Sequence, residues 1–261
     1  MRKWLVPISG NDRVLDNFNH WFKSPDFNIF EDSEDHLSAA YFFESVHLNG
    51  LTDIGMVIAR LKGMLELIHG AIALNWGFNT AFSNHRITYQ EIYYTDAEYA
   101  GVDDYKMSRQ MYQLNDIPPC APFAAQLSYE EQKRAFNNTI AAAVRMASDT
   151  EAIETLLRQI SYGFDWRNLY SIWDTIAYFM GGEKQAVAQL NLDADQKSAF
   201  TGTANSFSVL GPAARHGLKG WAAPTNLLSH DEACKFIETA TKAFLKQQHC
   251  PKCYFQKHFN I

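Results

Sequence analysis

The densest group of side chains able to do chemistry runs from Asn205 to Gly217, where Arg215 and His216 are adjacent. Pro212 suits the start of a short helical turn, with Gly211 before it. Arg215 and His216 then fall near the end of that turn, and Gly217 lets the chain reverse. A guanidinium beside an imidazole suits phosphate binding and proton transfer. In a catalytic reading His216 is the acid–base group, Arg215 stabilises phosphate charge and Asn205 orients the substrate or His216. Lys219 and Trp221 add a charge and a stacking surface, so Arg215, Lys219 and Trp221 are the candidate nucleic-acid contacts. A competing reading pairs Arg215 with an aspartate of a neighbouring helix, Asp165 or Asp174, and leaves His216 to cap carbonyls or pack.

Two other groups compete for a role. Cys250 and Cys253, flanked by His249 and His258, have the spacing of half a zinc site. Adjacent His249 and Cys250 are awkward ligands for one ion, and two free thiols are the simpler reading. The aromatic residues Trp4, Phe18, Trp21, Phe22, Tyr41, Phe42, Phe43, Tyr89, Tyr93 and Tyr94 could stack on bases but suit core and sheet packing better. The run from Glu31 to Asp35 reads as a solvated acidic turn. No phosphate loop, dinucleotide fingerprint or serine elbow occurs, and no cofactor is implied.

The elements that must carry these residues define an α+β chain: a small N-terminal α/β part over residues 1–115 and a C-terminal helical bundle over 116–261. Lys3–Ile8 predicts a strand, Leu15–Phe22 a short helix, and Phe27–Phe30 with Leu37–Val46 paired strands. A long helix starts at a Thr52 cap and carries Ile54, Val57, Ile58, Leu61, Leu65, Ile68 and Ile72 at helical spacing, with Gly77 at its end. Arg86–Thr95 predicts one strand. The pattern fades from Asp96 to Leu127, where Pro118, Pro119 and Pro122 break regular structure. Helices follow: one after the Ser128–Glu131 capping box, then one capped by Asp149 and one by Asp165. Glu183–Leu190 and Asp195–Phe207 continue the series, and a last helix follows the Ser229–Glu232 capping box.

Composition bounds the function. Of 261 residues, 47% are hydrophobic, which fits a folded chain rather than a disordered one. The net charge of −6 removes any global attraction to phosphate, so nucleic acid would need a local basic patch. No stretch reaches the roughly 18 apolar residues of a membrane span, and the N-terminus lacks the pattern of a signal peptide. Four cysteines are too few for a disulfide framework. A cytoplasmic setting without a membrane partner is expected.

From about Leu169 to Leu245 the chain resembles the C-terminal helical domain of a group of bacterial proteins. The matching parts are the helix Asn168-Leu-Tyr-Ser-Ile-Trp-Asp174, the segment from Ala204 through Arg215-His-Gly217, and the helix that begins Leu228-Ser-His-Asp-Glu-Ala233. More distantly it is similar to the HEPN helical-bundle superfamily, many of whose members bind or cut RNA in antiviral defence. The resemblance implies an RNA-directed effector or accessory protein. If it is an enzyme, it is a metal-independent ribonuclease. Ribonuclease members separate their Arg and His by several residues, whereas Arg215 and His216 are adjacent. Arg13 and His20 have a fitting spacing in the wrong part of the chain. Non-catalytic HEPN-like bundles pair through their helices, so the alternative is a non-enzymatic interaction protein, as a homodimer or within a larger complex.

Overall fold

The computed structural model describes residues 1–32, 40–78, 85–98, 101–108, 117–120, 126–219 and 223–248. The fold is α+β, with an antiparallel sheet of six strands followed by a helical region. The sheet runs β2 (Asn28–Asp32), β3 (Ala40–Glu44), β1 (Lys3–Ser9), β5 (Tyr93–Thr95), β6 (Lys106–Met107), and β4 (Thr88–Tyr89) also pairs with β1. Register places Val6 opposite Phe43 and Leu5 opposite Tyr93. The single strand expected over Arg86–Thr95 is therefore two short strands on successive stretches of β1.

Helix α1 (Asp12–Trp21) follows β1 and is capped by the Asn11 side chain, which accepts from the Arg13 amide. It buries Val14, Leu15 and Phe18 and leaves Arg13 and His20 exposed. Helix α2 (Ile54–Trp76) is capped by Asp53, not Thr52, because the Asp53 carboxylate accepts from the Met56 amide. Gly77 ends it with φ of 96°.

Helix α2 is apolar almost all round, as a helix covered on several sides must be. It packs chiefly on α5 (Glu151–Ser161) and α4 (Thr139–Ala147). Residues 117–120 are tied across it: the Cys120 amide donates to the Ala59 carbonyl at 2.7 Å, and Lys62 Nζ donates to the Ile117 carbonyl at 2.9 Å. Arg158 of α5 pairs with Glu66 of α2 at 2.8 Å and also donates to the Pro119 carbonyl. Buried side chains from Trp4 of the sheet to Leu245 near the end of the described chain form one continuous cluster.

The later helices are α3 (Tyr129–Ala135), α6 (Trp166–Phe179), α7 (Glu183–Gln189), α8 (Ala194–Asn205), α9 (Phe207–Leu210) and α10 (His230–Gln247). Both expected capping boxes form, at Ser128–Glu131 and Ser229–Glu232. Asp165 caps α6 by accepting from the Arg167 and Asn168 amides. Thr150 rather than Asp149 stands at the start of α5. Asp149 instead pairs with Arg145 one turn back. Asp193 caps α8, which stops at Asn205 before the separate turn of α9.

At Gly70 the backbones of α2 and α5 approach closely. A Cβ at that position would lie 1.9 Å from the Leu157 carbonyl oxygen, which belongs to backbone and cannot rotate away. Overpacking of a closed core costs about 1–3 kcal/mol. Gly70→Ala is expected to lower the urea unfolding midpoint by at least that equivalent, even though alanine is the better helix former. An unchanged midpoint would mean the two helices can separate freely.

Candidate functional site

The segment after α8 is held from two sides. The Arg215 amide donates to the Ala204 carbonyl at 2.8 Å, folding the chain back on the end of α8. From α6, Arg167 donates to the carbonyls of Ala214 and Pro212 at 3.1 and 2.6 Å. Between these anchors lies a 3-10 turn, Gly211–Ala213, with Pro212 inside it. Gly211 has the left-handed backbone, with φ of 55°. Gly217, where a reversal is expected, has no positive φ, so the left-handed backbone of this segment falls at Gly211.

Arg215 lies over an aromatic stack. Its guanidinium carbon is 3.8 Å from the centroid of the Tyr170 ring. Tyr170 and Trp166 of α6 both stack on Phe200 of α8, which leans on Phe236 of α10. Arg215 also pairs with Asp174, one turn beyond Tyr170, at 3.0 Å. Of the two aspartates weighed from the sequence, Asp174 is the partner, since Asp165 is occupied in capping α6. The pair is not sealed: 36% of the Arg215 side chain and 47% of that of Asp174 remain exposed. Partial burial holds the Asp174 carboxyl above its ordinary range despite Arg215, and the charge of Glu183 adds to the rise. An ion pair open to water contributes only about 0–1 kcal/mol.

His216 is half-buried beside Arg215. Loss of solvent, then the charges of Lys219 and Arg215, hold its imidazole below the ordinary value of 6.5. The three side chains are thus within electrostatic reach of one another. Asn205 does not join them as a substrate-orienting group, because its side-chain oxygen is buried and accepts no hydrogen bond in the protein. Trp221, Cys250 and Cys253 lie outside the described residues. Arg13 and His20 are both exposed on α1, two turns apart and outside the helical region that carries Arg215. Of the aromatic residues considered for base stacking, Trp4, Phe18, Phe22 and Phe43 are in the core. Among the described residues no group of three His, Cys, Asp or Glu side chains could hold a metal ion.

Two further histidines are internal. His69 of α2 accepts from the Ile87 amide through Nε2 at 3.0 Å, and burial first, then Arg86, lowers its pKa to about 3. A neutral imidazole acting as a fixed acceptor is a structural device. His47 is part of a cluster that sequence reasoning missed. Its Nε2 lies 3.0 Å from Asp26 Oδ1, and Arg145 Nε of α4 lies 3.2 Å from Asp26 Oδ2. The Asp26 side chain is fully buried. Both contacts are oblique rather than aligned hydrogen bonds. Arg60 of α2 donates to the His47 carbonyl. Ser45 completes a Ser–His–Asp set in name only, since its hydroxyl donates to the Asp26 carbonyl and accepts from the His47 amide. The cluster joins the 24–26 and 45–47 loops to α4 and to α2.

Removing one partner of a buried charge costs about 3–5 kcal/mol, since the other is left uncompensated. Arg145→Met is expected to destabilise the protein by roughly that amount in urea unfolding, with Asp26→Asn in the same chain restoring part of it. A loss below about 1 kcal/mol would show that Asp26 does not depend on Arg145.

No family model, curated protein or solved structure matches the chain, so its function is argued from the side chains above.

Proposed function

We propose that the protein binds RNA through the segment of residues 205–219 and does not cleave it. The observation that carries this reading is the seating of Arg215. Tyr170 fixes the plane of the guanidinium, while Asp174 neutralises it only through a weak, water-exposed contact. A phosphate can replace that carboxylate at little cost and meets a cation already oriented. Lys219 supplies further positive charge close by in the chain, and His216, held below its ordinary pKa, becomes a cation only when phosphate contact raises it. Cleavage fits less well. The adjacent Arg–His pair departs from the spaced pair of the ribonucleases that this bundle resembles, and the side-chain oxygen of Asn205 is buried. An accessory role in antiviral defence follows the same resemblance and would be exercised through binding.

A second reading, a non-enzymatic interaction surface, is favoured by one observation. Leu218, 80% exposed, stands between His216 and Lys219 in the chain, and Leu227 is 50% exposed. A protein partner or a second copy would cover them.

Fluorescence anisotropy with a labelled single-stranded RNA separates the readings. At neutral pH two cationic contacts, from Arg215 and Lys219, predict a log-affinity against log-salt slope of about −1.4, reduced by about 0.7 in Lys219→Ala. Phosphate contact raises the imidazole pKa from its lowered free value, so binding takes up a proton. Affinity should therefore grow as pH falls through 6.5, and this trend should vanish in His216→Ala. RNA bound equally well by Arg215→Ala would sink the reading. Cleavage of the RNA that is lost in His216→Ala would reverse its non-catalytic part. For the second reading, light scattering at micromolar concentration should give a dimer, and a monomer counts against self-association.

A further inference from the structure

A cleft of about 610 Å³ opens on the N-terminal part of the chain, and none of its lining residues belongs to the 205–219 segment. Its size is that of a small-molecule site. Three cations from separate elements face it: Lys3 on β1, Lys23 after α1 and Arg134 on α3. A single carboxylate, Glu44 at the end of β3, stands among them, with the amides of Asn28 and Asn49. Among the described residues no aromatic ring lines the cleft.

The two lysines are held by hydrogen bonds to neutral oxygens. Lys23 Nζ donates to Asn19 Oδ1 at 2.7 Å and to the Ile29 carbonyl at 3.0 Å, which leaves one of its three N–H groups. Lys3 Nζ donates to the Glu98 carbonyl and keeps two. Among the described residues neither lysine is in a salt bridge with a carboxylate, nor is Arg134. Burial lowers the Lys23 pKa, the sign of a cation short of countercharge. Glu44 is positioned by Asn28, whose Nδ2 donates to its Oε1 at 2.7 Å. The floor is rigid, because Pro25 and Ser45 flank the buried Asp26–His47 contact and the Val46 amide donates to the Pro25 carbonyl at 2.8 Å.

The geometry points to a binding site for a small sugar phosphate, with the phosphate between Lys23, Lys3 and Arg134 and the hydroxyls on Glu44, Asn28 and Asn49. Three cations with donors to spare match a phosphate dianion. A carboxylate beside carboxamides accepts from and donates to vicinal hydroxyls. Without an aromatic ring the cleft offers no stacking platform for a base, so a sugar phosphate fits better than a nucleotide.

Isothermal titration of the full chain with a panel of pentose and hexose phosphates tests the site, with the same sugars unphosphorylated and inorganic phosphate as further arms. At least one sugar phosphate should bind with a sub-millimolar dissociation constant. Inorganic phosphate should bind more weakly, and the free sugars not measurably. Lys23→Met should weaken binding about tenfold, the usual scale for one charge-assisted contact. Arg134→Met, at an exposed helix position, reads the same loss where the lysine variant is poorly folded. Failure of the whole panel at millimolar concentration would overturn the proposal, as would affinity unchanged in Arg134→Met and Lys23→Met. Displacement of the sugar phosphate by a short RNA would overturn it too, by making the cleft part of a nucleic-acid surface. Failure here leaves the Arg215 reading untouched, since that is measured on other residues.

Discussion

Gly70 of α2 sits so near the backbone of α5 that a Cβ there would lie 1.9 Å from the Leu157 carbonyl oxygen. Much else is a consequence of that contact. A helix pressed this near its neighbour and covered by α4 cannot keep a wet face, so α2 carries apolar residues almost all round. The polar groups it does bury must find partners within the protein. His69 serves the Ile87 amide and stays neutral, and Arg60 reaches the His47 carbonyl. Glu66 at its margin takes Arg158 and the Tyr162 hydroxyl, which draws the end of α5 against it. The chain segment at 117–120 is then strapped over α2 by hydrogen bonds to its backbone and to Lys62.

The helical end of the molecule follows a different logic, in which a cation is oriented rather than buried. Arg167 fixes the turn by its carbonyls, and the Trp166–Phe200–Tyr170 stack supplies the plane on which Arg215 rests. The weakness of the Asp174 contact matters more than its presence. A buried partner would make Arg215 purely structural, while an exposed one keeps the charge soluble and exchangeable. On a chain of net charge −6 this is the kind of local patch that phosphate binding requires.

What could be read from the sequence was what is local along it. The capping boxes at Ser128 and Ser229 and the Asp165 cap depend on residues two or three apart, and all three form. Where two adjacent residues could each cap, spacing did not decide between them. Asp53 prevails over Thr52, and Asp149 yields its place to Thr150 while pairing with Arg145. Gly211 and Gly217 flank the 212–216 stretch, and the left-handed backbone falls at the first. Asp165 and Asp174 were both available to Arg215 in sequence, and the Asp165 cap, itself a local signal, leaves Asp174 as the partner. The Asp26–His47–Arg145 cluster left no trace, because its members are scattered over the chain and none has a suggestive neighbour.

That cluster also bears on why the cleft exists. A buried ionic group is weak evidence for stability, since apolar residues of similar volume often serve as well or better. What apolar packing would not do is tie two loops and a helix into one geometry. Asp26 receives His47 from the second loop and Arg145 from α4, while Ser45 locks the two loops through their backbones. The consequence is a floor on which Lys23, Asn28 and Glu44 keep fixed spacing, although they come from a loop and two strands. A recognition site for a small polar ligand needs that rigidity, because each donor left free to move adds an ordering cost on binding. The buried acid is therefore best understood as a positioning element, whose effect is felt in the cleft above it.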